Sequence, residues 1–542
     1  MQIPLITKGA ATYGIDVKVD GMVYAALKQS PVHGGKLVSI NNRDAVMAMK
    51  GVREIVTVDP TDPSTITLQA PFPLMLSNAS SAVAVIADHY WQARKAMEAL
   101  DLTWDAGAGA QWETTEQMNA AAIEALQSPG KTIEMSIGDV EAEFAKGGTI
   151  IEAEFLTPYC EQSCLEPLNG TALVTADRVD LWHPSQHPQQ AHYVCADSTG
   201  VPLENCHVHQ TYVGGGFGRR VFSDDSRMVV EVAKQYPGVP VHTVWTREET
   251  HRQGRYRPMM AAKMKARLGE DGLPEAFLAR MAGGPGMFVV GMADSAMALV
   301  IPNVQVESDR LPIHIQTGPY RGPGYNSNAF FVESFIDEMA EAAGIDPLEY
   351  RIRLYSKFPD PGWVKCLEEV RDKSGWGGEL PKGQGRGVAI ANWGMGGKPE
   401  MGTTVATVVH VEVSPEGQLK IHQIDVAFDT GRVFNKDAVR VELEGGTIFG
   451  LNMSLNEELN LLNGEVVEGN FDVYPMLRMA DIPPINIHFG GLTDHDRYFE
   501  VGEPPVGPVG PALAAAIYQA TGKRLRTQPF RKHDISWTPS GA

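Results

Sequence analysis

Tyr212-Val-Gly-Gly-Gly-Phe-Gly-Arg-Arg220 is the stretch whose reading decides the rest of the chain. It follows an alternating run, His207-Val-His-Gln-Thr-Tyr-Val213, which predicts a strand entering a tight turn. Glycines there allow a positive φ or a close backbone approach. Exposed amides beside two guanidinium groups make an anion site. The turn is not a P-loop, because no Gly-Lys-Ser/Thr follows. It is not a dinucleotide fingerprint either, because Arg219 stands where the last glycine or alanine is required. A different group is cradled.

The 542 residues exceed one ordinary core, so two or three domains are expected. An apolar fraction of 43% and a charged fraction of 21% are globular values. The net charge of −20 repels a phosphate backbone and argues against nucleic-acid binding. No apolar run approaches the roughly 20 residues of a membrane helix, and Met1-Gln-Ile-Pro-Leu-Ile-Thr-Lys8 lacks a signal-peptide layout. The five cysteines, at 160, 164, 195, 206 and 366, form no Cys-x-x-Cys pair, and their odd number argues against a disulfide scaffold. They read as small buried residues. An iron–sulfur cluster normally takes four thiolates, and only Cys160 and Cys164 are close in sequence.

Residues 1–105 read as a compact α/β unit. Ala82–Ala87 is a buried strand, Asp88 an N-cap, and Tyr90, Ala93, Met97 and Leu100 share a helical face. Residues 106–130 read as a linker, starting in Asp105-Ala-Gly-Ala-Gly109, and a helix over Thr115–Leu126. Residues 131–542 read as a mixed α/β domain, divisible near 131–385 and 386–542. Within it Ala329–Ala343 predicts a helix closed by Gly344, and Asp346-Pro347 starts another. Thr404–Val413 and Leu419–Ala427 alternate around Ser414-Pro-Glu-Gly417, a hairpin signal. Pro511–Thr521 predicts a helix ended by Gly522. His183, His187, His207 and His209 have no completed metal-ligand spacing, and Asp224 and Asp225 read as a solvated helix start.

Gly9-Ala-Ala-Thr-Tyr-Gly-Ile-Asp16, Leu165-Glu-Pro-Leu-Asn169, Trp245-Thr-Arg-Glu248, Gly318-Pro-Tyr-Arg-Gly-Pro-Gly324, Glu333-Ser-Phe-Ile-Asp-Glu338, Gly431-Arg-Val-Phe-Asn435, Glu444-Gly-Gly446, Tyr474-Pro-Met-Leu-Arg478 and Val501-Gly-Glu-Pro504 occur in order along the chain. With the glycine turn, this order resembles the molybdenum hydroxylase (xanthine oxidase) family, in the branch of isoquinoline 1-oxidoreductase and membrane-associated aldehyde dehydrogenase large subunits. The resemblance covers nearly the whole chain. It implies an α+β (mixed α/β) fold, with a hammerhead-like domain at 1–105 and a molybdenum cofactor-binding domain after it. It implies a molybdopterin cofactor, in cytosine dinucleotide form, with molybdenum held by the pterin and by no protein side chain. The implied reaction oxidises an aldehyde to a carboxylic acid with water as oxygen source. The alternatives are hydroxylation of an N-heteroaromatic ring and a non-catalytic half that only completes a cofactor site.

The same resemblance assigns roles. Glu503, after Gly502 and before Pro504, matches the general base, a role worth about 10²–10⁴ in rate. Phe217 matches the residue whose amide faces the metal, with Gly214, Gly215, Gly216 and Gly218 permitting the approach. Arg219 and Arg220 either contact phosphate or make ordinary salt bridges. Gln162 is either a hydrogen-bond partner of a metal oxo ligand or a plain polar loop residue, a partner chain's glutamine then serving instead. Arg321 either orients a substrate carbonyl or ring nitrogen, or pairs with a carboxylate. Val221 stands where purine oxidisers carry a glutamate, which favours less polar substrates.

Relatives of this branch carry about 200 further residues ahead of Gly9, one domain's worth of chain. That segment holds Met-Gly-Gln-Gly and Gly-Gly-Ser motifs that touch the pterin, and this chain contains neither. The expectation is a second polypeptide that supplies them. A small subunit with two 2Fe–2S clusters is expected as electron carrier, and a cytochrome or similar acceptor beyond it. The expected compartment is the periplasm or the membrane periphery, reached with a signalled partner; the alternative is the cytoplasm.

Overall fold

The computed structural model describes residues 3–66, 76–286, 290–394, 401–493, 496 and 498–538. The first sheet has seven strands, in the order Cys206–Gln210, Val179–His183, Asn169–Val174, Val241–Val244, Val23–Gln29, Ala82–Ala87 and Val52–Val58. Val23–Gln29, next to the central strand, is antiparallel to the fully buried Ala82–Ala87 and parallel to Val241–Val244. Strands buried on both faces read as continuous apolar runs, which is why Ala82-Val-Ala-Val-Ile-Ala87 was visible in sequence.

This sheet corrects the first domain boundary. The strands of 1–105 share one ladder with 169–244, and a single core joins Leu27, Val56 and Ile86 to Leu168, Leu181 and Trp245. Residues 1–105 are therefore not a closed unit. A smaller core on the other face seats the helix Tyr90–Ala99. That helix is capped at His89, not Asp88, because Asp88 is held by Arg53 at 2.6 Å.

A five-stranded sheet runs Thr132–Ile137, Asn303–Arg310, Pro274–Gly283, Met260–Leu268 and Ile150–Thr157. A four-stranded sheet runs Gln384–Trp393, Thr403–Val413, Leu419–Asp429 and Ile485–His488. Between them lies Tyr325–Ala343, a helix buried on nearly every side and ended by Gly344 in the left-handed region. Its Phe330 and Phe331 meet Phe155, and its Phe335 meets Phe277. The helix Val509–Thr521 lies on Gln384–Trp393 so closely that a Cβ on Gly385 or Gly387 would reach backbone oxygens of the helix, at 2.2 and 2.1 Å. One core runs from Ala153 to Ile535, and residues on both sides of position 385 contribute to it.

Other boundaries move little. The helix after the linker spans Thr115–Ala125. Asp346 caps Pro347–Tyr355 by accepting from the amides of Leu348 and Glu349. The strand expected over His207–Val213 ends at Gln210, where the glycine turn takes over.

Candidate functional site

Three segments meet at the glycine turn. Phe217 has φ +50°, unusual for a residue with a side chain, and Gly215 and Gly218 have φ +107° and +102°. The Phe217 carbonyl accepts from the Arg321 amide at 3.0 Å. The Arg321 Nε donates to the Gly502 carbonyl at 2.6 Å. The Gly322 amide donates to Glu503 Oε1 at 2.9 Å. The turn, the 318–324 loop and the 501–506 loop are thus tied to one another through backbone groups, which places their side chains on rigid mounts.

The glycines serve this packing first. A Cβ on Gly214 would meet Glu166 at 2.4 Å, one on Gly216 would meet Gln186 at 2.5 Å, and one on Gly218 would meet the Pro319 carbonyl at 2.1 Å. The amides do the rest. Those of Gly214 and Gly218 are taken by Glu166 Oε2 and Gln186 Oε1. The successive amides of Gly215, Gly216 and Phe217 have no hydrogen-bond partner among the described residues. Such a run of free N–H groups is an anion-facing concavity. Glu166 holds the turn from behind and also accepts from the Ile15 amide, so the Leu165–Asn169 motif anchors the chain's first segment to the turn.

In front of the turn opens a cleft of about 1010 Å³, lined by Gln162, Leu165, Phe217, Phe449 and Phe471 among others. It is at the upper end of small-molecule sites and mostly apolar, with few polar groups. Phe449 packs on Phe217 and on Tyr320, with both ring pairs at 5.1 Å, and the Arg321 guanidinium lies over its ring. Phe449 comes from the helix Lys436–Leu455. Gly446 and Gly450 of that helix face the 504–506 loop, where a Cβ would meet Pro505 at 2.3 Å and the Val506 carbonyl at 2.4 Å. Two glycines four apart on one helix were the sequence signal for this approach, and neither Phe449 nor its neighbour Glu442 was read from them.

Burial raises the carboxyl of Glu503 above the ordinary glutamate range, against the lowering pull of the Gly322 amide and Arg321. Desolvation disfavours the charged form. The group sits ready to hold a proton closer to neutrality, as a base near a reacting centre does.

For Arg219, Arg220 and Gln162 the structure takes the second of the two readings, and the expectation for Val221 is corrected. Arg219 and Arg220 face away from the cleft and are almost fully buried. Arg219 makes two bonds to Asp224, both at 3.1 Å, and Arg220 donates to the carbonyls of Gly215, Glu166 and Pro167. Their charge is spent inside the protein, and none is left for phosphate. Gln162 lines the cleft, but its amide nitrogen donates to the carbonyls of Arg255 and Pro319 at 2.6 and 2.7 Å. Its Oε1 is buried and without a partner among the described residues, so no donor is left where one was expected. Val221 closes the turn through its amide to the Gly218 carbonyl and does not line the cleft.

Asp225 is buried against His183 at 3.4 Å and is not a solvated helix start. His209 pairs with Asp180 at 2.8 Å. Among the described residues, no group of three or more His, Cys, Asp or Glu side chains is set to hold a metal ion, and all five cysteines are buried and unpaired.

Beside Gln162 lies a residue that sequence reasoning missed. Glu161 is buried, and neither of its carboxylate oxygens has a partner among the described residues. Burial pushes its carboxyl up to about 8. Its amide donates to the Tyr474 hydroxyl, which also bonds Glu457, and Tyr320 donates to the same Glu457 oxygen. A polar layer thus underlies the cleft floor. No motif announces it, since its members lie up to 313 positions apart.

Two family models, both described as Molybdopterin cofactor-binding domain, match residues 123–355 and 380–483. A protein named membrane-bound aldehyde dehydrogenase [pyrroloquinoline-quinone], from Gluconacetobacter polyoxogenes, is 27% identical over 99% of this chain and 71% of its own length. Isoquinoline 1-oxidoreductase subunit beta from Brevundimonas diminuta is 26% identical over 98% of this chain and 67% of its own. The crystal structure of quinoline 2-oxidoreductase from Pseudomonas putida 86 superposes with a TM-score of 0.80 at 15% identity, covering 97% of this chain and 96% of that one, a likeness of fold. The quinone in the first name belongs to that protein. Both matched models here are of molybdopterin domains.

Proposed function

The chain belongs to the molybdenum hydroxylase family and is a molybdenum-dependent oxidoreductase, and from that premise we propose that it oxidises an aldehyde to the carboxylic acid, with Glu503 as general base. The carrying observation is the bonded convergence of Phe217, Arg321 and Glu503 beside an apolar cleft. The residues suit the cofactor. The unpartnered amides of Gly215, Gly216 and Phe217 would hold oxygen acceptors of the bound group. When bound, the molybdenum cofactor supplies the water-derived oxygen and takes up the two electrons.

This chain does the remainder. Phe217 and Phe449 wall the substrate's apolar part. Arg321, fixed by Gly502, offers a donor to the aldehyde oxygen. Glu503 receives at Oε2 the proton released when the carbon–oxygen bond forms, while Oε1 stays on the Gly322 amide. Glu503→Gln keeps the shape and the amide bond. Turnover in that variant should fall by about 10²–10⁴ with molybdenum and pterin content unchanged. Wild-type turnover in a metal-replete variant would refute the assignment. A non-catalytic half would carry no reason for a half-buried, shifted carboxyl at this point.

Hydroxylation of an N-heteroaromatic ring is the second reading. Three phenylalanines on the cleft and the relative named for isoquinoline support it. Comparing kcat/KM for benzaldehyde and isoquinoline separates the two. Purines should be the poorest class, since the cleft walls are apolar.

The relatives are named as subunits of larger enzymes. The proposal places this chain with a polypeptide that completes the cofactor's enclosure, with a small subunit carrying two 2Fe–2S clusters, and with an outer acceptor such as a cytochrome. The pterin is proposed in its cytosine dinucleotide form. Among the described residues no helix is long and apolar enough to cross a membrane. A periplasmic or membrane-peripheral station through a signalled partner is proposed, and cell fractionation of the native complex tests it.

A further inference from the structure

The Arg321 guanidinium is mostly buried and is shared between two functions. Nε is committed to Gly502, and Nη2 faces Glu442 Oε2 at 3.5 Å and the Glu442 carbonyl at 3.5 Å. Nη1 has no hydrogen-bond partner among the described residues, so one donor edge stays available. Glu442 itself is half exposed, on the helix that carries Phe449. It also lies against the base loop, since a Cβ on Gly502 would stand 3.3 Å from its Oε2. Glu500 adds a further negative charge felt at Glu503. The Arg321 cation therefore lies between the charges of Glu442 and Glu503.

A lone arginine beside a pocket attracts carboxylates and binds them in its planar fork. Here the Glu442 carboxylate beside the guanidinium opposes that attraction. We infer that Glu442 is a specificity-determining residue that neutralises Arg321 toward incoming anions and reserves the site for uncharged substrates. The inference rests on the proposed aldehyde reading and sharpens its substrate class to neutral aldehydes. Arg321 keeps its donor for an uncharged carbonyl oxygen, because a hydrogen bond needs the N–H and not the net charge. A substrate bearing its own carboxylate meets like charge before it reaches the guanidinium, and such juxtaposition is costly.

The test uses the assembled, cofactor-loaded complex and a pair of substrates, benzaldehyde and 4-formylbenzoate. The measured quantity is the ratio of kcat/KM for the charged aldehyde to that for the neutral one. Glu442→Gln should raise this ratio by about tenfold or more, the scale expected when one like charge near a low-dielectric site is removed. Glu442→Asp, which keeps the charge, should stay near the wild-type ratio. In the wild type the ratio should rise with salt, because a half-exposed charge is screened; this arm needs no variant. A ratio that Glu442→Gln leaves unchanged, or a wild type that favours the charged aldehyde at low salt, overturns the inference. Calorimetric binding of benzoate and of benzamide to the same complexes decides the case without turnover. If the wild type oxidises neither aldehyde, the aldehyde reading fails. A selective gain of benzoate affinity in Glu442→Gln then still sustains the charge role, and no gain refutes it.

Discussion

Glu503 titrates in a setting that makes its protonation observable. Burial raises its pKa, and Arg321 opposes the rise. The base acts in its charged form, so kcat/KM should climb with pH along an acid limb lying above the ordinary glutamate range. Removing the cation in Arg321→Met deletes a lowering influence, so the limb should move to still higher pH. A limb that stays or moves down would show that another group governs it. Gly218 invites a second test. It holds φ +102° and lies so close to the Pro319 carbonyl that a Cβ would stand 2.1 Å away. Gly218→Ala combines strain of about 1–3 kcal/mol with a backbone clash, so thermal stability and bound molybdenum should fall together. At this scale the sequence told which residues matter more clearly than which way they point. Phe217, Arg321 and Glu503 stood in ordered motifs and converge. Arg219, Arg220 and Gln162 stood in equally plausible motifs, yet their donors are consumed by Asp224, by main-chain carbonyls and by the carbonyls of Arg255 and Pro319. A motif names a side chain, and only the surrounding fold decides whether its polar end meets solvent or protein.

Among elements, the segment Tyr159–Pro167 makes stability depend on pH. It buries Glu161 without a partner for either oxygen, and the folded group holds its proton up to about pH 8. The sign follows from linkage. The folded state binds the proton more tightly than the unfolded chain, so stability is greatest below the unfolded pKa and falls as pH rises towards 8. Glu161→Gln carries no charge to bury. Its melting temperature relative to wild type should therefore improve from pH 5 to pH 8, as differential scanning calorimetry can read. A difference that is flat or opposite in sign would mean the carboxyl is already ionised and served. Elements with strong local signals were legible. The strands Thr403–Val413 and Leu419–Asp429 alternate around a Pro-Gly loop, and Pro347 and Gly344 punctuate their helices. The helix Lys436–Leu455 was left out, because its importance lies in how closely Gly446 and Gly450 let it approach the base loop.

At the scale of the molecule, the cleft has a mostly apolar lining, and Leu165 on it is 81% exposed. A large exposed apolar residue on a cofactor-sized cleft suits a covering polypeptide. On the proposal that a second polypeptide completes the enclosure, residues 1–542 alone would bury the cofactor's polar groups with part of their partners missing, which is costly. They should then carry far less than stoichiometric molybdenum and pterin, and co-expression with that polypeptide should restore them. Mass spectrometry of both preparations checks this, and full loading of the lone chain would refute it. The family was readable in sequence because its motifs keep their order. The domain division was not, because strand pairing across 200 positions leaves no local trace. That pairing has a further consequence for synthesis. Val23–Gln29 finds its parallel neighbour only in Val241–Val244. A nascent chain that has emerged to residue 130 exposes an unfinished, strongly apolar ladder edge, of the kind that aggregates. It must wait for more than 100 further residues, on the order of 5–20 s at ordinary elongation rates. Residues 1–130 expressed without the rest of the chain should therefore collect in inclusion bodies.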